Sequence, residues 1–116
     1  MSSMNENTAL LFTRFGLGDA PKKLQTLLAE KYLALLVDSN MLPAKILFYT
    51  HGVKLACQGS PVLTQLKTLG EKGVELILCK TCLDFFGLSE KVEVGIIGSM
   101  ADILECMAKA DKVISL

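Results

Sequence analysis

Five short apolar runs, Ala9 to Thr13, Lys45 to Thr50, Val74 to Cys79, Val92 to Gly98 and Lys112 to Leu116, restrict the fold more than any other feature of the chain. Stretches such as Ile46-Leu47-Phe48-Tyr49 and Leu76-Ile77-Leu78 do not alternate apolar with polar residues, so strands built from them need cover on both faces. A parallel sheet between layers of helix supplies that cover. The intervals have helical spacing. Asp19 and Pro21 suit a helix start, after which Leu24, Leu27, Leu28, Tyr32, Leu35 and Leu36 form an apolar stripe until Asn40 and Pro43. Ser60 and Pro61 open a second helix, with Val62, Leu63, Leu66 and Leu69 on its inner face and Gly70 and Gly73 at its close. A short helix from Lys80 to Phe86 stops at Gly87. Ser99 with Asp102 makes a capping-box-like start for a last helix that buries Ile103 and Met107.

Strand and helix thus alternate, and right-handed crossovers predict an α/β domain over residues 8–116. The expected form is a three-layer sandwich with a five-stranded, mostly parallel sheet, flavodoxin-like or Rossmann-like. Residues 1–7 are expected to fray. A length of 116 residues fits one core. With 51% hydrophobic residues and a mean hydropathy of +0.44, the chain has more apolar surface than so small a domain hides alone, and self-association is the expected outlet.

Twelve basic residues balance twelve acidic ones, which argues against nucleic acid or an anionic membrane as partner. No apolar run approaches the roughly 20 residues of a membrane span, and Met1 to Glu6 lacks the charged and apolar regions of a signal peptide. A cytoplasmic location is expected. No motif calls for a cofactor. In the cytosol the four cysteines, Cys57, Cys79, Cys82 and Cys106, read as thiols.

In an open parallel sheet, ligands bind beyond the carboxyl ends of the strands. Those ends carry Thr13-Arg14, Thr50-His51, Cys79-Lys80-Thr81-Cys82 and Gly98-Ser99. Cys79 ends a strand and begins a helix, so the helix end and the neighbouring Lys80 should favour its thiolate. Cys82 follows within one turn, close enough to form a disulfide with Cys79 or to receive sulfur from it. Two incidental half-buried thiols remain the blander explanation. Zinc would need His51 and Cys57 to converge on the pair from another loop. A thioredoxin-type pair would follow an early strand and face a later proline, and no proline follows Pro61. His51, the single histidine, is the candidate acid or base, or else a turn residue. Arg14 could steady an anionic persulfide or stand as an exposed cation. Cys57 and Cys106 read as packing residues. The loop Arg14-Phe15-Gly16-Leu17-Gly18-Asp19 lacks the third glycine of a dinucleotide fingerprint and the Gly-Lys-Ser/Thr of a P-loop, so turn formation accounts for its glycines.

The stretch Ile46-Leu47-Phe48-Tyr49 through Gly52-Val53-Lys54-Leu55, then Gly59-Ser60, is similar to the DsrE-like domain of the YedF proteins. So are Glu71-Lys72-Gly73-Val74-Glu75, Leu78-Cys79-Lys80-Thr81-Cys82-Leu83-Asp84, Phe86-Gly87-Leu88 and Ala110-Asp111-Lys112-Val113-Ile114. With Gly16-Leu17-Gly18-Asp19 the likeness covers nearly the whole chain. It implies a sulfurtransferase-like protein of sulfur relay, linked to selenium metabolism, that carries a persulfide on Cys79. Cys82 matches a second cysteine of the YedF pattern. The resemblance also implies a TusA-like or other sulfur donor or acceptor as partner, and a homo-oligomer, trimer or hexamer. The usual YedF protein begins with a TusA-like domain carrying a Cys-Pro motif. None precedes Thr8, so that partner is expected as a separate carrier or further upstream. Two other functions fit the residues: a thiol redox sensor or assembly subunit without transfer activity, and a domain binding a small anion at the strand edge.

Overall fold

The computed structural model describes residues 7–116. Of the stretch expected to fray, residues 1–6 lie outside the described residues. Asn7 is tied down: its side-chain amide donates to the Lys109 carbonyl at 2.8 Å, and its own carbonyl accepts the Asp111 N–H at 2.9 Å.

Five strands form one wholly parallel sheet: β1 (Thr8–Phe12), β2 (Lys45–Phe48), β3 (Glu75–Cys79), β4 (Ile96–Gly98) and β5 (Lys112–Ser115). Their order across the sheet is β4-β3-β2-β1-β5. Four helices connect them: α1 (Lys22–Asp38), α2 (Leu63–Glu71), α3 (Lys80–Phe86) and α4 (Met100–Lys109). Three crossovers step in one direction from β1 to β4, and the fourth returns across the sheet to β5. Right-handed connections then put α1, α2 and α3 on one face and α4 on the other. In agreement, α1 packs against α2, and α4 packs against β3 and β4.

The runs without alternation are the strands covered on both sides. Every residue of β1 is buried, as are Ile46 to Phe48 and Leu76 to Cys79. The centre of the sheet is therefore dry, and Phe12 and Phe48, in register on adjacent strands, stack at 5.8 Å between ring centres. β4 is shorter than its apolar run, because Val92 leaves the sheet to form an isolated bridge with Cys57.

The inner face of α1 differs from the expected stripe. Ala29, Leu33 and Leu36 are buried, whereas Leu24, Leu27, Leu28 and Leu35 are exposed. Leucines are spread around this helix, so a stripe drawn through them picks the wrong side; Ala29, Leu33 and Leu36 mark the buried one. In the second helix Ser60 stands two residues before the capping position: its hydroxyl accepts the Val62 N–H at 3.1 Å, and α2 starts only at Leu63. Gly70 lies inside α2 rather than closing it. For α4 the capping box is present, Ser99 and Asp102 each accepting the other's backbone N–H.

Between β2 and α2 the chain forms a 3-10 helix, Thr50–Ala56, which no apolar periodicity announces. It crosses the carboxyl end of β1 so closely that a Cβ on Gly52 would stand 1.9 Å from the Phe12 carbonyl oxygen. Glycine is required there by space. This segment organises the functional edge of the sheet.

Candidate functional site

The carboxyl ends of β1, β2 and β3 lie in register, Phe12 beside Phe48 and Phe48 beside Leu78, with Cys79 one residue beyond. Cys79 ends β3 in extended conformation and directly precedes α3, as its strand-end position predicts. Its side chain is 0% exposed. Cys82, one turn into α3, is partly exposed, and the two sulfurs interact. Both are free thiols.

The Thr50 amide donates to Cys82 Sγ at 3.1 Å. Thr50 has φ 51°, a left-handed conformation that a β-branched side chain rarely adopts and that costs on the order of 1–3 kcal/mol. Its hydroxyl holds the turn by donating to the carbonyls of Thr13 and Tyr49. Thus the ends of three strands are joined at one strained residue whose N–H faces sulfur. Burial pushes the Cys82 thiol above its ordinary pKa, the Thr50 amide pulls it down, and the neighbouring Cys79 raises it; the net direction is up. At neutral pH Cys82 is held as the thiol.

Lys80 does not act as the cation expected beside the pair. Its ammonium donates to Asp84 Oδ2 at 2.8 Å across one turn of α3, and its side chain is exposed. That ion pair, with the Ser89 hydroxyl on the other carboxylate oxygen, lowers the Asp84 pKa. Lys80 is engaged by its own helix.

His51 and Arg14 fall in a neighbouring feature, an open cleft of about 660 Å³ between the Arg14–Asp19 loop, the start of α1, the 3-10 helix and α3. The His51 ring stacks on Phe86 at 5.1 Å, and the Lys54 ammonium sits 2.9 Å from His51 Nδ1 and 4.4 Å from the centre of the Phe86 ring. An ammonium has only protons to give, so Nδ1 accepts and the imidazole proton resides on Nε2. This engagement occupies the lone pair a general base would use. No motif in the sequence marks Lys54 as a functional residue. Its spacing of three from His51, one turn of a 3-10 helix, was the available signal. Gly16 and Gly18, both with positive φ, shape the opposite wall: a Cβ on Gly16 would collide with the Gln25 backbone, and Gln25 Nε2 donates to the Gly18 carbonyl at 2.7 Å. These glycines make a turn, as expected.

Cys57 is buried and donates to the Val53 carbonyl, consistent with packing. Cys106 is partly buried beside Lys45 and Glu75, on the far side of the sheet from the Cys79 pair by the crossover argument. No helix among the described residues is long and apolar enough to cross a membrane.

Fold and site together define a small parallel α/β domain with a thiol pair at the end of its third strand. The chain belongs to the DsrE/DsrF-like family, whose family model matches residues 2–116. That membership suggests a sulfur-relay-like role. Three solved structures share the fold. The YchN protein of E. coli is 20% identical, with a TM-score of 0.70 over 97% of this chain and 100% of that one. MTH1491 of Methanobacterium thermoautotrophicum, described as of unknown function, is 14% identical, with a TM-score of 0.70 and the same coverage. BT1422 of Bacteroides thetaiotaomicron, also described as of unknown function, is 16% identical, with a TM-score of 0.69 over 96% of this chain and 95% of that one. No curated protein sequence matches the chain.

Proposed function

We propose that this protein relays sulfane sulfur, taking it up at Cys82 and storing it as a persulfide on Cys79. The observation that supports this most is the unequal exposure of two sulfurs that interact: Cys82 is partly open to a donor, and Cys79 is fully covered. The Cys82 thiol first loses its proton to solvent or to the incoming donor. Its thiolate attacks the outer sulfur of a donor persulfide, the donor's S–S bond breaks, and the donor leaves as a thiolate. Cys79 then attacks the outer sulfur of Cys82–S–SH as its thiol proton passes to the departing Cys82 sulfur, forming Cys79–S–SH and returning Cys82 as the thiol. The sulfane sulfur changes carrier without net oxidation, and burial shields the stored persulfide from solvent oxidants.

A TusA-like carrier is the proposed donor or acceptor, and the reducing cytosol the proposed location. The YedF-like pattern supports selenium as a second cargo of the same pair. A homo-oligomer is proposed through the edge of the sheet at β4, where Ile96 and Ile97 of β4 and Met100 and Leu104 of α4 are exposed.

Intact-mass analysis after incubation with a persulfide donor is the test. The wild type should gain about one sulfur atom. Cys82→Ser should lose most uptake, and Cys79→Ser should take up sulfur but surrender it quickly to added thiol. Uptake unchanged in both variants would end the proposal. Reversible oxidation of the pair without sulfur gain would favour a redox sensor instead.

A further inference from the structure

Apart from the thiol pair, the strongest unused feature is the cleft beside it. Over the whole chain charge sums to zero, yet the cleft gathers Arg14, Lys22 and Lys54 against a single lining carboxylate, Asp19, an excess of two positive charges among the described residues. The paired cations of the structure are Lys45, Lys80 and Lys109, all elsewhere. Among the described residues, Arg14, Lys22 and Lys54 have no carboxylate within ion-pair distance. Two of them are instead held over aromatic rings, Lys54 over Phe86 at 4.4 Å and Lys22 over Phe15 at 5.0 Å. A ring face steadies an ammonium but does not neutralise it, so the charge remains available to an anion. His51 adds an N–H donor at Nε2.

We infer that this cleft is a binding site for a small organic oxyanion with a flat apolar body. The cations and the imidazole N–H receive the oxyanion, and the apolar lining supplied by Phe15, Phe86 and Leu88 receives the body. The volume of about 660 Å³ is in the usual range for organic ligands and far exceeds a bare phosphate or sulfate. The net charge of zero removes the field that would draw in a polyanion, which leaves a compact anion as the fitting occupant. The site is independent of sulfur transfer, although it shares a wall with the thiols: His51 follows Thr50, whose amide meets Cys82, and Phe86 lies one turn after Cys82 in α3.

Calorimetric titration of the wild-type protein with benzyl phosphate, inorganic phosphate and benzyl alcohol tests this. Benzyl phosphate should bind saturably, at least about tenfold tighter than inorganic phosphate, with benzyl alcohol weaker than either, and its affinity should fall as salt is added. Arg14→Met with Lys54→Met should weaken benzyl phosphate at least about tenfold. The exposed Lys72→Met, outside the cleft, should leave it unchanged. A melting curve on each variant establishes that it is folded, and a second double variant, Lys22→Met with Lys54→Met, repeats the test on a different pair. Absence of saturable binding, equal binding of inorganic phosphate, or undiminished binding by both folded double variants overturns the inference. None of these outcomes depends on whether Cys79 and Cys82 carry sulfur.

Discussion

Two neighbouring regions at one edge of the sheet solve opposite problems with much the same backbone. At the end of β3 one thiol is fully covered and its neighbour partly open, and the adjacent Lys80 is turned to Asp84. At the ends of β1 and β2 the cleft is open and carries unneutralised charge. Between them runs the 3-10 helix, which gives Thr50 to the first region and His51 and Lys54 to the second. Reactive sulfur and charged recognition are thus divided by a single turn of chain.

The largest effect should come from Gly52, because a side chain there meets backbone that has nowhere to go. Gly52→Ala is expected to cost about 3 kcal/mol in denaturant unfolding and to disturb both regions together. A change below about 1 kcal/mol would show that the two regions are not held by this contact.

Exposure should separate the cysteines next. Iodoacetamide followed by peptide mapping is expected to modify Cys82 at least about tenfold faster than Cys79 at the same pH. Equal rates, or faster modification of Cys79, would reverse the roles assigned to them.

The pH dependence sharpens the contrast further. Since the Cys82 thiol is raised above the ordinary value of about 8.5, its alkylation should still climb nearly tenfold per pH unit between about 7 and 8.5. A plateau below pH 8 would contradict the shift. The same sign governs stability. Cys57, Cys82 and Cys106 are all raised, chiefly by burial, so the native state holds these protons more tightly than the unfolded chain. Their contribution is fully present below the unfolded pKa and is lost as pH rises through the folded values. Denaturant midpoints should therefore fall above about pH 8.5.

The smallest effect is expected from Lys80→Met. Its ammonium is directed to Asp84, so Cys82 alkylation at neutral pH should stay within about twofold of wild type. A larger drop would restore Lys80 as a partner of the thiols.

Much of this architecture was legible in the sequence because burial on both faces leaves unbroken apolar runs, as in Leu76-Ile77-Leu78. The capping box at Ser99 and Asp102 was equally local. The α1 face was not, since leucines lie all round that helix and only the sheet decides which of them it covers. Position predicted where Cys79 stands, but not that neighbouring elements bury it, because exposure is a property of what folds over a residue. The cleft was least legible: Arg14, Lys22, Lys54 and Phe86 are distant in sequence and meet only after β1, the 3-10 helix and α3 are side by side.

β1 lies between β2 and β5, with Thr8 beside Lys112 across nearly the full length of the chain. Its second neighbour is therefore made after β2, β3 and β4. Until Lys112–Ser115 has left the ribosome, Ala9 to Phe12 presents an open apolar edge, the kind that pairs readily with another chain. Pairing of β5 closes that edge, and a chain without it would turn β1, buried along its whole length, into the rim of the sheet.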